Sequence, residues 1–112
     1  MLTKYNEQEN NIRSFIKYCN RGQKMPTICM FYGIIIRLYL GKSEHNPPHF
    51  HAYYQDFKAI FNIRTCEMIE GNIPNKQKKL IEAWAELHQD ELIADWDLAI
   101  NGESPFKIAP LQ

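Results

Sequence analysis

The sequence is poor in the features that mark disulfide-bonded, secreted and membrane-spanning proteins. Its three cysteines are odd in number and widely spaced, so we expect no disulfide framework and a reducing, cytoplasmic environment. The longest apolar run without a charge, from Ile28 to Ile36, has nine residues, whereas a membrane span needs ~20. The N-terminus also lacks the continuous apolar segment of a secretion signal.

An excess of one charge is lacking too. Thirteen basic and thirteen acidic residues cancel, which excludes the strongly basic domain typical of general nucleic-acid binding. The distribution is uneven, with a net +3 over residues 1–24 and a net −3 over residues 25–112. Residues 80–103 contain seven acidic side chains and no Lys or Arg. We expect that surface to be solvated or to dock a basic partner.

Residues 1–24 differ from the rest of the chain, because they are polar and carry only one apolar stripe. That stripe has helical spacing and predicts one short amphipathic helix. Its members are Ile12, Phe15, Ile16 and Cys19. The segment is interpreted either as an extension upstream of the natural start, which would be Met25, or as an ordinary helix docked on the protein. We predict an extension over 1–24 and a single domain over 25–112, a length that suits one core.

Alternating apolar residues predict an antiparallel sheet over about residues 28–69. Residues 28–40 are expected to form one strand, or two strands broken at Gly33. Further strands are expected at 50–55, 57–64 and 66–69, with a hairpin at Gln55-Asp56 and a turn at 70–72. One parity of these strands is apolar and should be buried. Its members are Ile34, Ile36, Leu38, Leu40, Phe50, Ala52, Tyr54, Ala59, Phe61 and Ile63.

The period of the apolar residues changes after Pro74, which predicts helices. One helix is expected over 76–87, and a second stripe continues from it or begins after a break near His88, ending at Gly102. Strands followed by helices are typical of the α+β class. We therefore predict three to five antiparallel strands packed on one face by C-terminal helices, at about residues 75–101.

The other parity of the strands is polar and combines cations with aromatic rings. Such a mixture suits a phosphate or a single-stranded nucleic acid, because the cations hold the backbone and the rings stack on bases. An exposed sheet face also needs polar residues for no functional reason, so a purely structural interpretation stays open. The candidate binding residues are Arg37, Tyr39, Tyr53, Lys58 and Arg64, beside His51 and Asn62.

Three of the four histidines fall within seven residues, His45 to His51, around Pro47-Pro48. His49 and His51 alternate on a strand and should leave it on the same side. They are candidate acid/base groups for phosphodiester cleavage, with His45 as a third. The same three side chains are candidate ligands for zinc, copper, nickel or iron(II), although no fourth ligand is evident. A structural role, capping a turn, is the third alternative.

Several blocks of the chain together resemble a bacterial family known as domain of unknown function 4160. The most specific is the segment His45 to Ala52, and the others are Met25 to Ile28, the Gly33 strand, Glu70 to Pro74, Trp84, and Glu91-Leu92 with Trp96. The resemblance implies a small cytosolic protein whose gene lies beside a second small reading frame, as in toxin–antitoxin pairs. It therefore implies a toxin-like component with an antitoxin-like partner, but no substrate, catalytic residue or metal.

Three hypotheses follow, and they leave open whether the chain is an enzyme. The first is a toxin-like protein acting on RNA or translation through the polar sheet face and the histidines, silenced by a small acidic partner protein. The second is a non-enzymatic protein-interaction module. The third is a small metal-binding protein that uses His45, His49 and His51. No cofactor is expected apart from that divalent metal.

Overall fold

A computed structural model of the chain describes residues 24–41 and 47–112, which form an antiparallel sheet followed by two helices. The five strands of this part of the chain lie in the sheet in their sequence order, so the sheet is a simple meander. The strands are β1 (Thr27–Phe31), β2 (Ile34–Arg37), β3 (His49–Tyr54), β4 (Phe57–Asn62) and β5 (Met68–Asn72). The α+β class predicted from the sequence is confirmed.

Two tight turns join β1 to β2 and β3 to β4. The sequence predicted a break in the strand at the first place and a hairpin at the second. Tyr32 and Gly33 connect β1 to β2, and both have a positive φ, as the predicted break at Gly33 requires. Gln55 and Asp56 connect β3 to β4, as predicted, and Gln55 adopts a φ of 53° although it is not a glycine. These turns fix the strand register on which the candidate site depends.

The predicted position of the last strand was wrong. The sequence placed a strand at 66–69 and a turn at 70–72, whereas β5 runs from Met68 to Asn72. The turn before it is longer than expected, because the Asn62 side chain accepts hydrogen bonds from the backbone N–H groups of Arg64 and Thr65. Gly71 is needed inside β5, since a Cβ there would collide with the carbonyl oxygen of Lys58.

The helices are α1 (Asn75–Leu87) and α2 (Gln89–Ile100), and they are separated at His88, where a break was one of the two predicted alternatives. Trp84 of α1 lies on the apolar face of the sheet, with its ring centroid 5.8 Å from that of Phe50 and 5.6 Å from that of Phe31. The predicted apolar parity is confirmed, because Ile36, Ala52 and Phe61 are fully buried in this layer. Within the described ranges, no helix is long and apolar enough to span a bilayer.

The last residues return along the domain without regular structure and hold α2 to the edge of the sheet. The Ile108 N–H donates to the Ile28 carbonyl oxygen of β1, and the Trp84 indole donates to the Ala109 carbonyl oxygen. One of the acidic residues expected to be solvated, Asp95, is instead 3% exposed. Its Oδ1 accepts a hydrogen bond from the Phe106 N–H, and burial raises the pKa of its carboxyl group.

Candidate functional site: a polar sheet face beside a buried histidine pair

The face of the sheet opposite Trp84, called the outer face from here on, is organised in two rows that cross the strands. Strand register sets their order, since directly paired residues of antiparallel strands project to the same side. The first row consists of Met30, Ile35, Tyr53, Lys58 and Asn72. The second row consists of Thr27, Arg37, His51, Ile60 and Glu70. The outer face is therefore apolar near β1 and charged over the central strands and β5.

Arg37 is fixed above an aromatic ring of the neighbouring strand. Its guanidinium carbon lies 5.3 Å from the centroid of the Tyr53 ring, and its Nε donates to the Thr27 hydroxyl oxygen at 3.2 Å. A cation held over an aromatic face is stabilised by about 0.5–1 kcal/mol at exposed sites. Lys58 of β4 is the strand partner of Tyr53, so a second cation belongs to the same row of the outer face.

The two histidines of β3 are buried, so the expectation that the polar parity around His51 is exposed was wrong at these positions. His49 is 2% exposed and His51 is 4% exposed. The His49 ring lies against the indole of Trp96 in α2, with centroids 5.0 Å apart, and the His51 ring follows at 5.4 Å from His49. The sequence indicated only that Trp96 belongs to the apolar stripe of the second helix. Strand alternation gives no sign that its indole reaches the histidines of β3.

Burial keeps both imidazoles neutral at pH 7. Desolvation lowers the pKa of His49 to about 4, although the bond to the Pro47 carbonyl opposes it. Desolvation also lowers the pKa of His51 to about 3, helped by the nearby positive charges of His49 and Lys58. An acid/base pair working near pH 7 needs one protonated member, which this environment disfavours. Hydrogen bonding, base catalysis and metal ligation need only the neutral ring.

The nitrogen atoms of the two rings have different surroundings. His49 Nδ1 lies 2.8 Å from the Pro47 carbonyl oxygen and must be the donor, because a carbonyl oxygen only accepts. His49 Nε2 consequently carries the lone pair. His51 Nε2 is buried and has no hydrogen-bond partner among the described residues. Leaving such a nitrogen unsatisfied typically costs about 1–3 kcal/mol, so a partner such as a water molecule or an ion is expected there.

A cleft of about 210 Å³ opens beside His51 on the outer face. Side chains of opposite charge, Lys58 and Glu70, line it together with Tyr53 and Ile60. Its floor is backbone from Ala59 and Gly71, where β4 and β5 approach closely. The cleft thus combines an ammonium, a carboxylate, a phenol and a neutral imidazole, a set that can bind a small polar group with both donors and acceptors.

Comparison with protein families matches residues 33–97 to the family described as Domain of unknown function (DUF4160). The chain belongs to this family. The match covers β2 to β5, α1 and most of α2, and therefore the histidine pair and the cleft. Comparisons with curated proteins and with solved structures found no match.

Not every predicted site residue lies in the two rows of the outer face. Tyr39 is buried rather than exposed, and it lies beyond Arg37, where β2 and its alternation end. Arg64 is exposed in the turn after β4, where its carbonyl oxygen accepts from the Gln89 side chain, so it belongs to neither row. His45 lies outside the described residues, and its predicted acid/base and metal roles stay predictions.

Glu70 was missed as a site residue, because the sequence placed it in a turn. Its place in the outer face follows from its pairing with Ile60 of β4, which is the last regular pair before a register shift between Ile60 and Phe61. No residue pattern marks that shift, so sequence reasoning had no signal for it. Within residues 24–41 and 47–112, no group of three or more His, Cys, Asp or Glu side chains is placed to hold a metal ion.

Proposed function

We propose that this DUF4160 protein is a toxin-like component of a toxin–antitoxin-type pair that acts on RNA or translation, and that its outer face holds the RNA. The observation that carries the proposal is the position of the Arg37 guanidinium over the Tyr53 ring, with Lys58 as the strand partner of Tyr53. Cations interleaved with an aromatic ring bind single-stranded RNA, because the cations neutralise phosphates while guanidinium and phenol planes stack on bases.

The cleft beside His51 supports recognition of an unpaired base. The Glu70 carboxylate can accept a hydrogen bond from the exocyclic amino group of a base, and His51 lines the same cleft. Both groups lie next to Tyr53, on which a base would stack. Recognition of this kind requires a splayed-out base, so the substrate class is single-stranded rather than duplex RNA.

The charges of α2 disfavour RNA on that helix. Asp90, Glu91 and Asp97 of α2 are exposed, and no Lys or Arg lies in that helix. A phosphate backbone would be repelled there. We propose that the antitoxin-like partner is a small acidic protein that covers Arg37 and Lys58 and thereby competes with RNA.

Induced expression of the full chain tests this function. The wild type should stop growth, whereas the double variant Arg37→Gln/Lys58→Gln should not at an equal protein level. The matched control is Lys76→Gln/Lys79→Gln, which removes the same charge from exposed positions of α1 and should remain toxic. Harmless expression of the wild type, or unchanged toxicity of the Arg37/Lys58 variant, would contradict the proposal.

A second candidate function, a non-enzymatic protein-interaction module, is favoured by the apolar side of the outer face. Met30 is 64% exposed and Tyr32 is 60% exposed, both at the β1 hairpin. This function predicts no effect on growth and a stable complex with the product of the neighbouring gene. That complex should weaken on Met30→Ser and persist in Arg37→Gln/Lys58→Gln, the reverse of the pattern expected for RNA.

A further inference from the structure

His49 and His51 are placed as a pair of imidazoles that one metal ion can share. They alternate on β3 and project to the same side of the sheet. Their ring centroids are 5.4 Å apart and the ring planes differ by 63°. With metal–nitrogen bonds of about 2.0–2.1 Å and a tetrahedral angle, the centres of two ligating imidazoles would lie about 5.2 Å apart. The observed separation of the ring centres is therefore close to the one expected for two imidazoles on one ion.

The hydrogen bonding of His49 is that of a metal ligand. Its Nδ1 donates to the Pro47 carbonyl oxygen at 2.8 Å, which fixes the tautomer and leaves the lone pair on Nε2. Ligating histidines almost always donate their other N–H to a carbonyl or carboxylate in this way, which orients the ring. The rigid Pro47-Pro48 pair holds that carbonyl group two residues before the ligand.

His51 supplies the second nitrogen. Its side chain is 4% exposed, and its Nε2 has no hydrogen-bond partner in the part of the chain that the structure describes. A buried imidazole nitrogen normally has a partner, so this atom is suited to a ligand that arrives from outside. In His49 the corresponding nitrogen, Nε2, carries the lone pair.

We infer that His49 and His51 bind one divalent transition-metal ion of the zinc class through their Nε2 atoms. Two imidazoles supply half of a tetrahedral shell, and the two remaining positions take water or an anionic oxygen. No third described His, Cys, Asp or Glu side chain joins the pair. Arg37 is the strand neighbour of His51, and Lys58 lines the cleft beside it, so an anion such as a phosphate oxygen is the favoured additional ligand.

Zinc titration of the tag-free full chain tests this site. The wild type, stripped with a chelator, should bind one Zn²⁺ per chain in calorimetry or in competition with a chelating dye. His49→Ala and His51→Gln should each weaken binding at least tenfold. His88→Gln is the matched control, since His88 lies between the helices and contacts Glu91 instead, and it should bind as the wild type does.

Binding that survives His51→Gln, binding that is lost in His88→Gln, or a wild type that takes up no stoichiometric Zn²⁺ would overturn the inference. Circular dichroism of each variant shows whether it is folded. X-ray absorption spectroscopy of the zinc-loaded wild type needs no variant. It should show two imidazoles at about 2.0–2.1 Å and no sulfur, whereas a thiolate or a single imidazole in the shell would contradict the assignment.

Discussion

The imidazole of His49 packs on the indole of Trp96, with ring centroids 5.0 Å apart, and this contact joins the proline–histidine segment of β3 to helix α2. It helps to bury His49, although this residue belongs to the polar parity of the strand. Trp96 lies 47 positions further along the chain than His49. The site is therefore formed by the tertiary fold and not by the histidine segment alone.

Trp96→Ala should lower the free energy of unfolding by about 3–5 kcal/mol, the usual cost of removing a buried tryptophan. It should also raise the pKa of His49 toward 6.5, because the desolvation that lowers it is relieved. Urea unfolding measures the first effect and NMR titration in the presence of a chelator measures the second. Trp96→Phe should show both effects more weakly; an unchanged His49 pKa in Trp96→Ala would contradict the account.

Stability of the metal-free protein should fall as the pH is lowered from about 6.5. The pKa values of His49 and His51, about 4 and about 3, lie below the ordinary value of 6.5. Below pH 6.5 the unfolded chain therefore binds more protons than the folded chain, so the stabilisation present above pH 6.5 is progressively lost. Urea unfolding between pH 7.5 and pH 5 should show the loss, and His51→Gln should reduce it.

Asp95 should respond differently to two substitutions that both remove its charge. Asp95→Asn keeps an acceptor for the Phe106 N–H and avoids burying a charge, so it should be at least as stable as the wild type at pH 7. Asp95→Ala leaves that N–H without its acceptor and should lose about 1–3 kcal/mol. Thermal unfolding compares them, and equal melting temperatures would argue against the role assigned to Oδ1.

Gly71→Ala should destabilise the sheet next to the cleft. Its φ is 98°, and an added Cβ would collide with the backbone of Lys58 and Ala59, so β4 and β5 must separate. Gly102→Ala is the matched control, because Gly102 also has a positive φ, 78°, but nothing lies within 4 Å of the added atom. Denaturant unfolding should give a clearly larger loss for Gly71→Ala; equal losses would mean that the contact does not matter.

Strand parity was the most informative sequence signal. It predicted the buried layer containing Ile36, Ala52 and Phe61, and it also predicted that Arg37, Tyr53 and Lys58 share one face. These are local properties, because alternation and tight turns fix which side chains point together. The break at Gly33 and the hairpin at Gln55-Asp56 were predictable for the same reason.

The burial of the candidate site was not predictable, because it depends on contacts between distant segments. The side chain of Trp96 lies on His49, and the pairing of β5 with β4 brings Glu70 into the cleft that His51 lines. Neither contact leaves a pattern within a strand or a helix. Tyr39 failed for a related reason, since alternation continued in the sequence beyond the point where β2 ends.

Binding of single-stranded RNA, followed by fluorescence anisotropy at increasing salt concentration, tests the RNA function of the outer face most directly. The wild type and Lys76→Gln/Lys79→Gln should bind a labelled oligonucleotide with the same salt dependence. Arg37→Gln/Lys58→Gln should bind more weakly, and the slope of log K against log salt should decrease in magnitude by about 1.4, the value for two lost phosphate contacts on a single strand. Identical binding by the two double variants, or no binding by the wild type, would contradict the account.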